Sequence, residues 1–149
     1  MNRCDLETSA LVVNVSTMER NLERLAGYTH GFAIVAKVDE AEVMLSVRTD
    51  HILVEYSMVG RSKLKRLSAV ASRSWVTVAL DSIEAARQPS EGACEAGAEF
   101  VVLAEADLGL GRVGVKPREP LAEFCRGISR RLAWSSTPYF VLPGIHSQA

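Results

Sequence analysis

The sequence predicts an α/β fold built on a parallel sheet. Three observations carry that expectation. Short β-rich runs alternate with longer amphipathic runs about five times, the connections between them are brief, and the run at 51–59 is continuous enough in apolar character to be buried on both faces, as central parallel strands are.

The elements follow in order. "ALVVNV" (10–15) reads as a strand, and "STMERNLERLAG" as a helix opened by the capping box Ser16-x-x-Glu19, with Met18, Leu22 and Leu25 on one face and Gly27 as its stop. "GFAIVAK" (31–37) is a second strand, and "DEAEVMLSV" (39–47) a helix opened by Asp39-x-x-Glu42. "HILVEYSMV" (51–59) is the third strand. "SKLKRLSAVASR" (62–73) is a helix with Leu64, Leu67 and Ala71 inward, and "WVTVALD" (75–81) a fourth strand.

Asp81-x-x-Glu84 then caps "SIEAARQ", and Pro89 is expected to interrupt or restart that helix. "EFVVLAEAD" (99–107) is the fifth strand, followed by the glycine-rich "LGLGRVGV". Pro120 sits where the first turn of "LAEFCRGISRRL" starts, and "PYFVLPG" (138–144) gives a sixth strand. Two architectures share this alternation. At 149 residues a doubly wound sheet can be complete, whereas a (β/α)8 barrel takes about 250 residues. The glycine loop weakens the doubly wound reading, because it follows the fifth strand and not the first.

Composition narrows the function classes. Apolar residues make up 48% of the chain and charged residues 23%, which is ordinary for one globular domain. Seventeen basic and eighteen acidic side chains nearly cancel. The cluster Arg61, Lys63, Lys65, Arg66 and the pair Arg130–Arg131 read as solvated helix faces, so no nucleic-acid partner is expected. Cys4, Cys94 and Cys125 are odd in number and lack metal-ligand spacing, so a reducing cytoplasm is expected, with neither a disulfide framework nor a structural metal. No apolar run approaches the ~20 residues of a spanning helix, and the N-terminus has no leader-like apolar stretch, so no membrane association or export is expected.

In either architecture chemistry collects at the carboxyl ends of the strands. Those ends read Lys37, Tyr56, Asp81, Glu105 with Asp107 leading to Arg112, then the 143–146 tail. A lysine desolvated on one side can attack a carbonyl as a neutral amine, and a lysine snorkelling from a strand end to water is the plainer alternative. "GLGRVG" (109–114) can bare backbone N–H groups and offer Arg112 as a fork to an oxygen-rich ligand, or can be an ordinary βα turn. His30, His51 and His146 have no ligand spacing. Tyr56, Trp75 and Trp134 read as packing residues.

Several ordered motifs resemble one family. "TSALVVNVSTMERNLERLAG" is similar to the opening of the D-threonine aldolase and D-serine dehydratase-like proteins, grouped with the alanine racemase N-terminal domains, with Ser9 and Asn14 in place of the family's proline and aspartate. "AK" at 36–37, "DEAEVM", "DHILVEYSMVGRSKLKRL", "VTVALDSIEAA" and "VLAEADLGLGRVGV" resemble later elements, so the likeness runs from about Thr8 to Gly144.

The resemblance implies an incomplete TIM-type (β/α)8 barrel of about five to six β/α units, a single partial domain over residues 1–149 without the family's C-terminal β domain. It implies pyridoxal 5'-phosphate as cofactor, Lys37 as its Schiff-base lysine, and Arg112 as the arginine approaching its ring oxygen. The chemistry implied is cleavage of a D-3-hydroxy amino acid to glycine and an aldehyde, assisted in the family by a divalent metal for which no ligands are identifiable here. A racemase, a cofactor carrier and a non-catalytic half-barrel are the alternatives.

The family places Thr-His-Lys, a helix and another strand between its lysine and its Glu-Ala-Glu helix, whereas only Val38 and Asp39 stand between Lys37 and Glu40 here. One βα unit is therefore expected to be missing just after Lys37. The family's histidine before Ala-Lys is Val35. An unclosed sheet edge is expected to draw in a partner, such as a second copy.

Overall fold

Short apolar runs of three to six residues, the first four each followed by an amphipathic helix, generate the sheet and its cover. The computed structural model describes residues 13–47, 49–131 and 139–141. Its elements are α1 (Val15–Tyr28), β1 (Phe32–Val35), α2 (Val38–Ser46), β2 (His51–Val54), α3 (Arg61–Ala71), β3 (Trp75–Leu80), α4 (Ile83–Ala96), β4 (Val101–Glu105), α5 (Glu119–Arg131) and β5 (Tyr139–Val141). The strand expected at 10–15 begins outside the described residues, and Val15 already belongs to α1.

The five strands are parallel and lie in chain order, β1-β2-β3-β4-β5. Their registers step in the same way, with Val35 opposite Val54, Val54 opposite Val78, and Leu80 opposite Ala104. A doubly wound sheet reverses strand order midway and carries helices on both faces. Here there is no reversal, and α2 packs on α3, α3 on α4 and α4 on α5. The helices therefore form one layer on one face, which is the arrangement of a barrel segment.

The core lies between sheet and helices. Val35, Ile52, Val54, Val76, Val78, Leu80, Val102 and Ala104 point into it from the strands, against Val38, Ala41, Leu64, Leu67, Val70, Ala86 and Phe100. Among the charged residues, Arg66 on α3 donates to both Asp39 and Glu42 on α2. Those bonds and the guanidinium charge hold both carboxyls below their usual range. The remaining members of the basic cluster, Arg61, Lys63 and Lys65, are exposed.

Among the described residues no helix packs on the opposite, concave face. Trp75 is 73% exposed and Ile34 60%, so Trp75 is no packing anchor among the described residues. Run 51–59 is likewise buried on one face only: Ile52 and Val54 are covered, while His51 and Leu53 are half-buried, and the strand ends at Val54. A hollow of about 330 Å3 lies on this concave face, lined by Phe32, Leu53, Trp75 and Leu103 with His51 and Thr77 between them. His51 Nε2 and Thr77 Oγ1 are 2.7 Å apart, and the His51 ring meets Phe32 edge-on at 5.1 Å.

Helix starts differ from the sequence expectation in a consistent way. Asn14, not Ser16, caps α1 by accepting from Thr17 N at 3.0 Å, and Ser82, not Asp81, caps α4 by accepting from Ala85 N. At α2 Lys37 occupies the cap position with no side-chain bond, and Glu40 reaches back to Ala36 N at 2.7 Å. At α1 the cap falls two residues before the expected box and at α4 one residue after it, each on the side chain that reaches a free first-turn N–H. α1 also runs one residue past Gly27, to Tyr28. Pro89 does not break α4, which is continuous from Ile83 to Ala96. Its ring is buried with Ala86 and Ala93, and that packing outweighs the loss of one backbone bond. Cys94 is exposed and Cys125 buried. Cys4, Trp134 and His146 lie outside the described residues.

Candidate functional site

The strand ends of β2, β3 and β4 and the loop after β4 make one rim. The loop is pinned at its base by a short parallel bridge between Ala106 and Val115, where Asp107 N donates to Val115 O at 2.9 Å and Val115 N to Glu105 O at 2.8 Å. Inside it, one carboxylate oxygen of Asp107 accepts from Gly109 N at 3.0 Å and from Gly111 N at 2.9 Å. These backbone donors hold the Asp107 carboxyl below its usual range.

Gly114 donates to Asp81 Oδ2 at 3.4 Å, which ties the loop to the end of β3. Its φ is +103°, and a Cβ there would stand 2.6 Å from Asp107 N and 2.8 Å from the Ala106 carbonyl carbon. Only glycine fits so close a backbone approach. The glycines of this turn therefore shape it, and "GLGRVG" is more than a spacer.

The loop delivers Arg112 to the rim, where its guanidinium carbon lies 5.1 Å from the centroid of the Tyr56 ring, just beyond β2. The sequence reading assigned Tyr56 to the core. It is instead a half-buried platform at the strand end, leaving the Arg112 donors exposed to solvent. A planar cation held on an aromatic face is a ready fork for a carboxylate, phosphate or phenolate oxygen.

Three carboxylates share this rim. Counting by two along the concave face, His51 and Leu53 lead to Glu55, Trp75, Thr77 and Ala79 to Asp81, and Val101 and Leu103 to Glu105. Partial burial, then the charges of Asp81 and Glu55, push the Glu105 carboxyl up from its ordinary value. Glu55 was missed in the sequence because the run 51–59 masked where β2 ends; a period-2 count from His51 identifies it. Among the described residues no group of three or more His, Cys, Asp or Glu is arranged to hold a metal ion.

Lys37 lies elsewhere. The same count along β1 puts Phe32 and Ile34 on the concave face and Ala33 and Val35 under the helices. β1 ends at Val35, the chain bends at Ala36 and Lys37, and Lys37, with φ −141° and ψ 154°, takes the N-cap position of α2. It is exposed, and its charge acts on Asp39 two residues on. A cofactor-bearing amine needs a desolvated position facing the barrel interior. Lys37 is exposed and so lacks the first of these in this chain, while Arg112 suits an oxygen ligand.

Known proteins share this architecture. A D-threonine aldolase from Filomicrobium marinum matches with a TM-score of 0.63 and 28% identity over 86% of this chain and 42% of its own. Alanine racemase from Clostridium difficile 630 shares the fold with a TM-score of 0.60 and 18% identity, over 83% of this chain and 32% of its own. In sequence, 3-hydroxy-D-aspartate aldolase of Paracoccus denitrificans is 23% identical over 99% of this chain and 44% of its own length. D-threonine aldolase of an Arthrobacter species is 34% identical over 53% of this chain and 21% of its own.

The chain thus spans less than half the length of these relatives. The alignment to the Paracoccus aldolase runs over 176 positions against 149 residues, so at least 27 positions of that aldolase have no counterpart within it. The alanine racemase N-terminal domain model matches residues 15–136, nearly all of the described structure. A one-layer helical cover on an in-order parallel sheet, relatives of the aldolase type, and that match together establish that the chain belongs to the alanine racemase N-terminal domain family.

Proposed function

We propose that this chain supplies part of the barrel of an amino-acid lyase of the D-threonine aldolase type, and that its own contribution is the oxygen-binding rim at Arg112. The observation that carries this is Arg112 held on Tyr56 by a loop tied to Asp107 and Asp81. In the family reaction, pyridoxal phosphate supplies an electron sink for breaking a bond at the amino-acid α-carbon. Here Arg112 would bind and orient an anionic oxygen of cofactor or amino acid, Tyr56 would keep the guanidinium from wandering into solvent, and the raised carboxyl of Glu105 could hold a proton at the rim.

The activity of the whole barrel would be cleavage of a D-3-hydroxy amino acid to glycine and an aldehyde, with the amine and any divalent metal brought by other parts of that barrel. Mixing the protein with pyridoxal 5'-phosphate tests this. Reversible binding is expected, lost in Arg112→Ala and unchanged in Lys37→Ala, with no adduct at Lys37 after borohydride reduction. A borohydride-trapped adduct at Lys37, together with glycine release from D-threonine by the isolated chain, would overturn it.

A second reading rests on the exposed Ile34 and Trp75 of the concave face and on β1 standing at the edge of the described sheet. Both are disposed to be covered by another chain, making this a half-barrel completed in trans. Sizing by light scattering decides: a dimer supports pairing, and a monomer across a hundredfold concentration range rejects it.

A further inference from the structure

In a βα architecture each crossover helix lies across the strands that flank it. Helices α2, α3 and α4 obey this, each burying side chains in the core. α1 does not. It has no buried residue, and no residue of α1 packs against the core, although β1 follows it directly and is fully described. Its apolar stripe is only partly covered, with Met18 42% and Leu25 47% exposed and Leu22 and Ala26 half-buried. It is as amphipathic as a packed helix.

The join between α1 and β1 is short and turns through two consecutive residues of positive φ. Thr29, His30 and Gly31 turn the chain in three residues, with His30 at φ +52° and Gly31 at φ +77°. Left-handed backbone at a non-glycine residue is uncommon. A Cβ on Gly31 would stand 2.8 Å from Asp50 Oδ2. By contrast, the join after Lys37 is unstrained: β1 leads into α2, which packs on β1, on β2 and on α3.

From these observations we infer that the internal gap relative to the aldolases lies between α1 and β1, at residues 29–31, and not after Lys37. The at least 27 unmatched positions are the size of one strand and one helix, about 30 residues. α1 is the surviving half of one unit, and β1 belongs to the unit after the lost one. Lys37 therefore ends a later strand than the one expected from its Ala-Lys motif, which accounts for its solvent-exposed position. This assignment does not depend on what Arg112 binds, so the two can fail separately.

Residue-resolved hydrogen exchange on the full chain tests it first. Amides of Leu22–Ala26 are expected to exchange at least about 100-fold faster than those of Leu64–Val70, because α1 opens without disturbing the core. Equal protection in α1 and α3 would overturn the inference. Two chimaeras give a second measurement, each inserting the strand–helix unit that follows the first helix of the Filomicrobium marinum aldolase. Insertion between Thr29 and Gly31 is expected to raise α1 protection, and insertion between Lys37 and Val38 to lower the melting temperature by separating α2 from β1. The reverse pattern overturns the assignment, and if neither chimaera folds the exchange ratio in the unaltered chain decides.

Discussion

The Arg112 guanidinium carbon stands 5.1 Å from the centroid of the Tyr56 ring, joining the loop after β4 to the end of β2 across β3. An exposed cation–π contact is worth about 0.5–1 kcal/mol. Tyr56→Ala should therefore weaken pyridoxal phosphate binding by about two- to fivefold, whereas Tyr56→Phe, which keeps the ring, should bind like the unaltered protein. Titration calorimetry reads both, and equal loss in the two variants would mean that the hydroxyl and not the ring matters.

Asp107 organises the same loop through two backbone N–H donors. Asp107→Ala should free the amides of Gly109 and Gly111 to exchange with solvent, and Asp107→Asn, which keeps an acceptor oxygen, should do so much less. The folded carboxyl is held below its ordinary value, so its bonds contribute fully above the unfolded aspartate range and are lost as pH falls through the lowered folded value. Exchange at Gly109 and Gly111, corrected for intrinsic rate, should hold steady from neutrality into mild acid and rise only below the usual aspartate titration.

Glu105 has the opposite sign. Its folded carboxyl is raised by partial burial and by Asp81 and Glu55, so the native state binds its proton more tightly than the unfolded chain. Stability attributable to this group is greatest below the unfolded glutamate value and falls as pH rises through the folded one. Glu105→Gln should stabilise the protein at pH 7 by about 0.5 kcal/mol, a discounted figure for a group largely open to solvent, and change nothing at pH 3. Urea unfolding at the two pH values checks this, and a larger gain at pH 3 would refute it.

Leu67 on α3 is fully buried against the sheet. Leu67→Ala should cost about 2–5 kcal/mol in urea unfolding, since the lost contacts leave a cavity between two rigid layers. Leu25→Ala on α1, nearly half exposed, should cost less than about 1 kcal/mol.

Trp75 reports on the concave face. In a Trp134→Phe background its fluorescence should be red-shifted and readily quenched by iodide if the face is open, as its 73% exposure indicates for the lone chain. Shielding that appears with rising concentration would signal a second copy over that face, and Trp75→Ser should then abolish the concentration dependence.

Much of this architecture is legible in the residues themselves. Alternation of β-rich runs with amphipathic helices gives β1 to β5 and α2 to α5, because sequential burial of one strand face and one helix stripe leaves a period in the sequence. Arg112 and the glycines around it were legible as a shaped turn. Other features were not. Tyr56 and Trp75 carry the same apolar signature whether buried or bare, and only the helix-free side of the sheet decides between them. Lys37 follows a strand in sequence, but the strand stops at Val35 and the chain bends before the lysine, and the Ala-Lys motif is too short to fix which strand it ends.

Strands that lie in chain order bind each βα unit only to the one before and the one after, as repeats do in a solenoid. Such a chain can be spliced like beads on a cord: removing one bead disturbs the two faces that touched it and nothing further along. That modularity explains how the stretch from β1 to α5 retains an ordinary core while α1 buries no residue, and it means that the scar of an excision is a local patch of exposed apolar surface, not a global loss of fold.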